Sequence, residues 1–343
     1  MKKIISFLKT DIKIINSYLL FTIILIILVC IGYSSYALFS FTKTSNNVIE
    51  GTVGELKKSG VDTLIKLTDN TNDSGLYTIT HPKDTTLQIG ATESVTEYRY
   101  RGASPKNYVT FNNETWRIIG VFPTDDGTGN IENRIKLIRN ESIGNKYWDT
   151  SDSNNWTRQS TLSTEHNTTY LNSLTSEAQN MIGNTKYYLG GKNVTYNNGY
   201  ADTPLQFYSY ERKIQNTTSN EFYNGTNPNS WVGKLGLMYV SDYGYASSNC
   251  ENKRIYDYNS SANDIRACND TNWLYNIKDN EWILPQNAGT SNRAFYVNSN
   301  GHVNYNFVVY NGQFAVRPVL YLKSAVKITG GSGTSTNPYT LGL

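Results

Sequence analysis

The chain has 343 residues, enough for one large domain or two ordinary ones, and its formal net charge is +3. Lys2, Lys3, Lys9 and Lys13 face only Asp11 near the N-terminus and account for this whole excess, so the remainder of the chain is neutral. Because a nucleic-acid-binding protein needs a net basic surface, the composition excludes nucleic acid as the expected partner.

The N-terminal region contains an apolar run without a charged side chain, YLLFTIILIILVCIGYSSYALF, over residues 18–39. About 20 apolar residues span a bilayer as a helix, and the lysines before the run place the N-terminus in the cytoplasm. We therefore predict a cytoplasmic basic stub over residues 1–17, a single transmembrane helix over residues 18–39, and an extracellular location for the rest. The alternative is a cleaved signal peptide with residues 35–37 as its cleavage site.

Residues 40–96 combine a weak helical pattern, VGELKKSGVDTLIKL, with a polar run, TDNTNDSG. The helical pattern places apolar residues at helical spacing but is interrupted by Gly60. We predict that this segment is a stalk or a small docking segment. It would join the membrane helix to an extracellular domain over residues 97–343.

After the stalk the pattern changes to that of β-strands. In YVTFNNETWRIIGVF two apolar runs flank Asn112 and Asn113, which predicts a β-hairpin, and NRIKLIRN predicts a third strand beside it. STLSTEHNTTYLNSL and SEAQNMIG predict short helices, the second of them capped by Ser173 or Thr175. Residues 186–230 are rich in Tyr, Asn and Gly and predict a long ordered loop.

Cys250 and Cys268 are the only cysteines after the apolar run. Two cysteines in an exported domain, 18 apart in a polar stretch, predict a disulfide bond. Their spacing and the lack of a nearby histidine do not favour a zinc site.

The segment AFYVNSNGHVNYNFVVY near the C-terminus alternates apolar and polar residues and predicts a hairpin around Asn300-Gly301. Its predicted core positions are Phe295, Val297, Val303, Phe307 and Val309. Its outward positions and turn are rich in Tyr and Asn, residue types that make adaptable contacts. The contact residues predicted from this hairpin are Tyr296, Asn298, His302, Asn304, Tyr305 and Tyr310.

Aromatic side chains in polar surroundings provide stacking faces for sugar rings. Trp148, Trp156 and Tyr187 are flanked by polar residues and are therefore predicted as further contact residues. Trp116 and Trp282 lie in the apolar runs WRII and WILP and are predicted to pack in the core.

Four stretches of the domain share features with known proteins: NYVTFNNETWRIIGVF, WVGKLGLMYVSDYGYA, EWILP, and AVRPVLYLK followed by ITGGSGTSTNPYTL. Together they resemble a group of uncharacterised, membrane-anchored surface proteins of Gram-positive, gut-type bacteria, with WRIIGVF and VRPVLYLK as the strongest marks. The C-terminal half also resembles the C-type-lectin-like and formylglycine-generating-enzyme-like fold. There a Trp-Leu element, a variable segment and a Val-Arg-Pro strand close the domain, here residues 282–284, 286–314 and 316–318.

The resemblance implies a mixed α+β domain whose irregular loops present a ligand-binding surface. It does not imply catalysis, because formylglycine-generating enzymes use a reactive cysteine pair near the C-terminal strand and this chain has no cysteine after Cys268. Some C-type-lectin-like proteins carry a diversified C-terminal segment, which residues 286–314 resemble in composition. Ordinary strand alternation explains the same composition, and both interpretations stay open.

Catalytic groups are scarce in the sequence. His81, His166 and His302 are the only histidines and no G-x-S-x-G motif is present, so no His-based triad is predicted and no catalytic residue is assigned. A glycosidase would need a pair of carboxylates instead. The acidic residues available for such a pair are Asp149, Asp152, Glu165, Asp242 and Glu281.

Oxygen-bearing side chains cluster in DTSDSNN (residues 149–155) and CNDTN (residues 268–272). Calcium accepts such ligands, although no complete twelve-residue calcium loop is present. We predict no cofactor and keep structural calcium as an alternative, with the identity of any metal site unknown.

These features predict a cell-surface, ligand-binding ectodomain of the C-type-lectin-like α+β class, recognising glycan or protein through its C-terminal loops. Binding is favoured over catalysis because no catalytic constellation is found. The alternatives are an exported polysaccharide hydrolase that uses a carboxylate pair and a structural envelope protein without a specific ligand.

Overall fold

The computed structural model describes residues 19, 21, 22, 24–29, 58–83, 93–192, 202–213, 227–255, 268–276, 278–310 and 314–343. The chain divides into two compact units, Met1–Leu56 and Lys57–Leu343. The predicted stub over residues 1–17 lies outside the described residues, and the predicted membrane helix is described only at the positions between 19 and 29 given above, which are helical. Within the described part, no helix has the length and apolar run needed to cross a membrane.

The second unit contains short helices and many short strands. The α-helices are α1 Gly60–Ile65, α2 Thr161–Thr164, α3 Leu171–Ser173, α4 Ser176–Met181, α5 Pro204–Glu211 and α6 Val240–Gly244, with a 3-10 turn at Trp156–Arg158 and a π-helical turn at Glu165–Tyr170. The strands are β1 Gly75–His81, β2 Val95–Arg101, β3 Tyr108–Phe111, β4 Glu114–Asp125, β5 Ile131–Arg139, β6 Asn145–Lys146, β7 Thr185–Tyr188, β8 Ser230–Gly233, β9 Leu235–Gly236, β10 Glu281–Gln286, β11 Arg293–Val297, β12 Val303–Phe307, β13 Phe314–Ala315, β14 Val319–Tyr321, β15 Lys327–Gly330 and β16 Thr340–Gly342.

The strands form two main sheets, which are mostly antiparallel. A seven-stranded sheet has the order β1-β2-β4-β5-β14-β9, with β3 paired to β4, and a five-stranded sheet has the order β12-β11-β10-β13-β6. Two-stranded ribbons, β7-β8 and β15-β16, complete the set. The predicted mixed α+β class with antiparallel hairpins is confirmed.

The β3–β4 hairpin forms where it was predicted. Asn112 and Asn113 both have positive φ, at 55° and 58°, which is the conformation of a two-residue turn whose twist matches the two strands. The third predicted strand is β5, which pairs with β4 from Trp116 opposite Arg139 to Asp125 opposite Ile131.

The compact unit begins near Lys57 rather than at residue 97. Strand β1, in the predicted stalk, pairs with β2 over its whole length, from Gly75 opposite Arg101 to His81 opposite Val95. Helix α1 is capped by the Ser59 side chain. Strand β1 was not predicted from the sequence, because it follows a polar run and its partner β2 lies about 20 residues further along the chain.

The helical predictions hold for residues 160–183, where Thr175 caps α4 by accepting a hydrogen bond from the Ala178 N–H at 3.2 Å. The predicted loop over residues 186–230 was wrong in part, because it contains α5. The Thr203 side chain and the Gln206 side chain form a capping box at the start of α5, with Pro204 at its first position. This Thr-Pro-x-Gln pattern is a helix-start signal in the sequence.

The C-terminal hairpin is confirmed as β11 paired with β12, from Arg293 opposite Phe307 to Val297 opposite Val303. Phe295, Val297 and Val303 are buried as predicted, whereas Phe307 is 43% exposed. The prediction for Phe307 was wrong because the strand ends there, and the following turn buries Val308 instead.

The predicted disulfide bond joins Cys250 and Cys268, whose Cα atoms are 5.1 Å apart. We expect the double variant Cys250→Ser/Cys268→Ser to lose about 3 kcal/mol of free energy of unfolding, because the unfolded chain regains the entropy of the open loop. Urea unfolding followed by tryptophan fluorescence measures this. Wild-type protein treated with a reductant serves as the control and should match the variant, and an unchanged midpoint in both would contradict the expectation.

Candidate functional site

The candidate site is a cavity of about 310 Å³ lined by residues of strands β1, β2, β4, β5 and β14 of the seven-stranded sheet and by β7 and α5. We call it the aromatic pocket. Its aromatic walls are Phe122, Tyr188, Tyr208, Tyr239 and Tyr321. Its polar lining residues include His81, Glu97, Thr185 and Arg212, and Glu93, Asp125, Ile131 and Lys186 also line it. Its volume lies near the lower end of the roughly 300–1,000 Å³ typical of small-molecule sites.

The Glu97 carboxylate, which lines the pocket, is held by several donors. Arg99 donates to Glu97 Oε2 from Nε at 2.9 Å and from Nη2 at 2.7 Å, and His81 Nε2 lies 3.0 Å from the same oxygen. Burial alone would raise the pKa of Glu97, but Arg99, His81 and Arg212 hold it well below its usual range. Glu97 is therefore a fixed anion and hydrogen-bond acceptor.

The His81 ring is fixed by stacking. Its ring centroid lies 3.5 Å from that of Tyr208, and the two planes are nearly parallel at 9°. Burial lowers the pKa of His81, against the opposing effect of Glu97. The imidazole is therefore neutral at pH 7, and its Nε2 donates to the Glu97 carboxylate.

A second layer of charges lies beneath the pocket. Asp242 on α6 accepts a hydrogen bond from Arg99 Nη1 at 3.0 Å and bonds to Lys136 Nζ on β5. Its Oδ2 also accepts the Tyr239 backbone N–H at 2.8 Å. The Lys136 and Asp242 side chains are almost completely buried. This layer fixes the position of Arg99 and thereby that of Glu97.

The C-terminal end of α5 positions two further charged groups, of which Arg212 lines the pocket and Glu211 lies behind it. Glu211, the last residue of α5, is fully buried and accepts hydrogen bonds from the Ser241 N–H at 2.9 Å and from Ser241 Oγ at 2.6 Å. Burial raises the pKa of Glu211 to about 7, against the opposing effect of the neighbouring Arg212. The Arg212 guanidinium lies 3.5 Å from the ring centroid of Tyr208, a distance typical of a strong cation–π contact.

Two of the three carboxyl groups that line the described part of the pocket have a lowered pKa. A glycosidase needs one carboxyl group with a raised pKa as the general acid. The pKa of Glu97 is lowered, and that of Asp125 is lowered as well, because the N–H groups of Gly127 and Gly129 outweigh the effect of burial. Neither group donates a proton at neutral pH. Glu211, whose pKa is raised, does not line the pocket.

Three predicted contact residues are buried. Trp148, Trp156 and Tyr187 each expose 2% or less of their surface, so the prediction of a contact role was wrong for them. The polar residues beside them turn inward: the Asn154 side-chain amide donates to the backbone oxygens of residues 287, 290 and 293. Polar neighbours in the sequence therefore marked internal hydrogen bonds and not an exposed face. Trp156 also lines a separate cleft together with Trp231.

The six hairpin residues do not form a single surface. Tyr296 lies opposite Asn304 on one face of the β11–β12 ribbon, whereas Tyr305 lies opposite Phe295 on the other, because successive side chains of a strand point to opposite faces. The Asn298 side chain closes the turn, accepting the N–H groups of residues 300 and 302 at 2.9 and 3.0 Å. Tyr310 is 44% exposed and His302 is half-buried. None of the nine predicted contact residues lines the described part of the aromatic pocket.

Calcium stays a prediction. The parts of the chain that the structure describes contain no group of three or more His, Cys, Asp or Glu side chains arranged to hold a metal. Asp149 Oδ1 accepts hydrogen bonds from Ser151 and Thr161. Its Oδ2 is buried without a hydrogen-bond partner among the described residues.

The pocket residues were missed because their spacing in the sequence is long. The capping box that starts α5 is a local signal that places Tyr208 and Arg212 on or just after a helix. No local signal marks Glu97 and Arg99 as pocket or core residues, since the alternation of charged residues with tyrosines in TEYRYR is typical of a strand with one face in solvent. Comparison of the chain with protein-family models, with curated proteins and with solved structures yields no match.

Proposed function

We propose that this protein is a cell-surface ligand-binding protein, anchored through residues 18–39, and that its second unit is a C-type-lectin-like module that binds a sugar in the aromatic pocket. The α+β architecture, the antiparallel sheets and the disulfide-closed connection between α6 and β10 are consistent with such a module. The neutral composition outside the N-terminus and the resemblance to anchored surface proteins support the proposed location. A protein ligand remains the second kind of partner for such a module.

The observation that carries the sugar proposal is the combination of aromatic faces with fixed polar groups in one small cavity. A sugar ring has apolar C–H faces and a rim of hydroxyl groups. Tyr188 supplies a flat face for stacking, since both faces of Tyr208 are covered by His81 and Arg212. The Glu97 carboxylate and the Arg212 guanidinium supply an acceptor and donors for hydroxyl groups. Small-molecule sites generally have this composition of apolar walls with a few oriented polar groups.

The alternative functions find less support in the pocket. A polysaccharide hydrolase would need a proton donor, and the lowered pKa values of Glu97 and Asp125 do not provide one. Two of the predicted candidate acids are also engaged in buried ion pairs, Asp242 with Arg99 and Glu281 with Arg317. A purely structural role would not require a cavity with polar groups aligned along its walls.

The test is binding of the full-length protein to a glycan panel, in a polyoxyethylene detergent that carries no sugar of its own. We expect Tyr188→Ala to weaken binding about tenfold, because it removes a stacking face worth about 1 kcal/mol or slightly more. Tyr188 is half-buried and its side chain can be shortened with little loss of core packing.

Tyr310→Ala is the matched control, since Tyr310 is 44% exposed and does not line the pocket. It should leave the dissociation constant within about twofold of the wild type. If Tyr310→Ala abolishes binding and Tyr188→Ala does not, the C-terminal segment is the site and the pocket is not. If no member of the panel binds, the sugar-binding proposal is wrong.

A further inference from the structure

We propose that the ligand of the aromatic pocket carries a carboxylate group, as a uronic-acid sugar does, and that the Arg212 guanidinium binds this group. The inference rests on the proposed sugar-binding function and adds the chemical class of the sugar. Its basis is a comparison of the two arginines that approach Glu97.

Arg99 uses its N–H donors in short hydrogen bonds to two carboxylates. It donates to Glu97 at 2.7 and 2.9 Å and to Asp242 at 3.0 Å, distances typical of charge-assisted hydrogen bonds. It is also buried beneath the pocket, with only 1% of its surface exposed. Arg99 is therefore a structural residue that holds Glu97 in place.

The hydrogen bonds of Arg212 to the described residues are all long. Its donors lie 3.5 Å from Glu97 Oε1, 3.3 Å from Glu211 Oε2 and 3.4 Å from the Tyr208 backbone oxygen. Charge-assisted N–H···O bonds are shorter, at about 2.7–2.9 Å, and a guanidinium has five N–H groups. Within the described part of the chain, Arg212 therefore keeps unused donor capacity, and it lines the aromatic pocket, whereas Arg99 does not.

The Arg212 guanidinium is nevertheless held in a defined position. Its Cζ lies over the Tyr208 ring at 3.5 Å, and the rings of Tyr188 and Tyr239 lie at 5.2 and 5.7 Å. Such aromatic contacts orient the plane of the guanidinium and leave its N–H edges available. A ligand carboxylate thus accepts hydrogen bonds from guanidinium N–H groups that are already oriented, so little entropy is lost on binding.

The ion pairs of Arg212 also leave a place for an anionic group beside this residue. Three basic and three acidic side chains form the buried cluster: Arg99, Lys136 and Arg212, with Glu97, Glu211 and Asp242. Burial raises the pKa of Glu211 to about 7, so at pH 7 a fraction of the Glu211 side chains is protonated. When Glu211 is protonated, Arg212 loses one of its two carboxylate partners, and a ligand carboxylate can take that role.

The shape of the site favours a carboxylate over a phosphate. A planar carboxylate matches the planar guanidinium through two parallel hydrogen bonds. Glu93 and Asp125 also line the pocket, and their negative charges would repel a dianion more strongly than a monoanion. The aromatic walls then hold the ring to which the carboxylate is attached, which favours an acidic sugar over the carboxyl end of a peptide.

The experiment compares two ligands that differ only at the carboxyl group, methyl β-D-glucuronide and its uncharged carboxamide, by titration calorimetry with the full-length protein. We expect the acid to bind at least tenfold more tightly than the amide. Arg212→Lys keeps the positive charge but removes the fork, and we expect it to lose most of this preference. Arg293→Lys, on β11 away from the pocket, is the matched control and should retain it.

The outcomes separate this inference from the proposed function. Equal binding of the acid and the amide would refute the carboxylate inference while sugar binding stands. Binding of neither ligand, together with a negative glycan panel, would refute both. A preference that survives in Arg212→Lys would place the carboxylate elsewhere. N-acetyl-alanine is tested as a third ligand, because it represents the carboxyl end of a peptide. If it binds as tightly as the glucuronide, the partner is a peptide terminus and the sugar assignment is wrong. Urea unfolding of Arg212→Lys verifies that the variant is folded.

Discussion

Asp242→Ala is expected to lower the free energy of unfolding by about 3–5 kcal/mol, the cost of removing one partner from a buried ion pair. Asp242 bonds to Arg99 and Lys136, and both cations are buried without access to water. Its loss removes the carboxylate that pairs with Lys136 and leaves Arg99 with Glu97 alone, in a medium of low dielectric constant. It also removes the acceptor for the Tyr239 N–H at the start of α6.

Urea unfolding of the wild type and the variant measures this loss. Asp73→Ala is the control, because Asp73 is exposed and its removal should change the free energy of unfolding by less than about 0.5 kcal/mol. Asp242→Asn separates the two roles, since the amide oxygen can still accept the Tyr239 N–H but carries no charge. A loss below about 1 kcal/mol for Asp242→Ala would show that the buried pairs contribute little to stability.

Glu211 is expected to make the stability of this protein fall as the pH rises from about 4.5 to about 7. Burial raises its pKa in the folded state to about 7, above the ordinary value near 4.5, so the folded protein binds this proton more tightly than the unfolded chain. The resulting stabilisation is fully present below the unfolded pKa and is lost as the pH rises through the folded pKa. A shift of this size corresponds to about 3 kcal/mol.

Glu211→Gln isolates this contribution, because glutamine resembles the protonated acid and still has an oxygen that can accept the Ser241 N–H. At pH 4.5 the variant and the wild type should have similar stability. At pH 8 the variant should be the more stable of the two by about 3 kcal/mol. Urea unfolding at several pH values measures the difference, and a difference that does not change with pH would contradict the raised pKa.

Glu97 has the opposite effect on the pH dependence of the free energy of unfolding of the wild type. Its pKa is held low by Arg99, His81 and Arg212, so its contribution is present above the unfolded pKa and is lost as the pH falls through the folded pKa. Comparing Glu211→Gln with the wild type cancels this contribution, since Glu97 is present in both proteins.

The two stability predictions concern the same groups that shape the aromatic pocket. Asp242 fixes Arg99, and Arg99 fixes the Glu97 carboxylate that lines the cavity. Glu211 adjoins Arg212 and accepts a hydrogen bond from it. A buried ionic cluster contributes little net stability compared with apolar packing. Its position beneath a cavity is better explained by the orientation it gives to Glu97 and Arg212.

The sequence by itself determined the features that depend on neighbouring residues. Asn112 and Asn113 set the β3–β4 turn because their side chains tolerate positive φ. The alternation around Asn300-Gly301 identified the C-terminal hairpin, and the cysteine pair identified the disulfide bond. Each of these features is specified by a few residues whose spacing corresponds to a known local geometry. The mixed α+β class followed from them.

Only the tertiary structure decided where the functional groups lie. In TEYRYR charged residues alternate with tyrosines, as on a strand with one face in solvent. Glu97 and Arg99 are nevertheless buried, because α6 supplies Asp242, which lies 143 residues after Arg99 and accepts a hydrogen bond from it. Conversely, Trp148 and Tyr187 have polar neighbours in the sequence but pack in the core. Whether a charged or aromatic side chain meets water depends on the elements that cover it, and those elements are distant in sequence. The local sequence pattern does not indicate which distant elements cover a side chain. The aromatic pocket could therefore not be predicted, because it forms only when the sheet and α5 pack together.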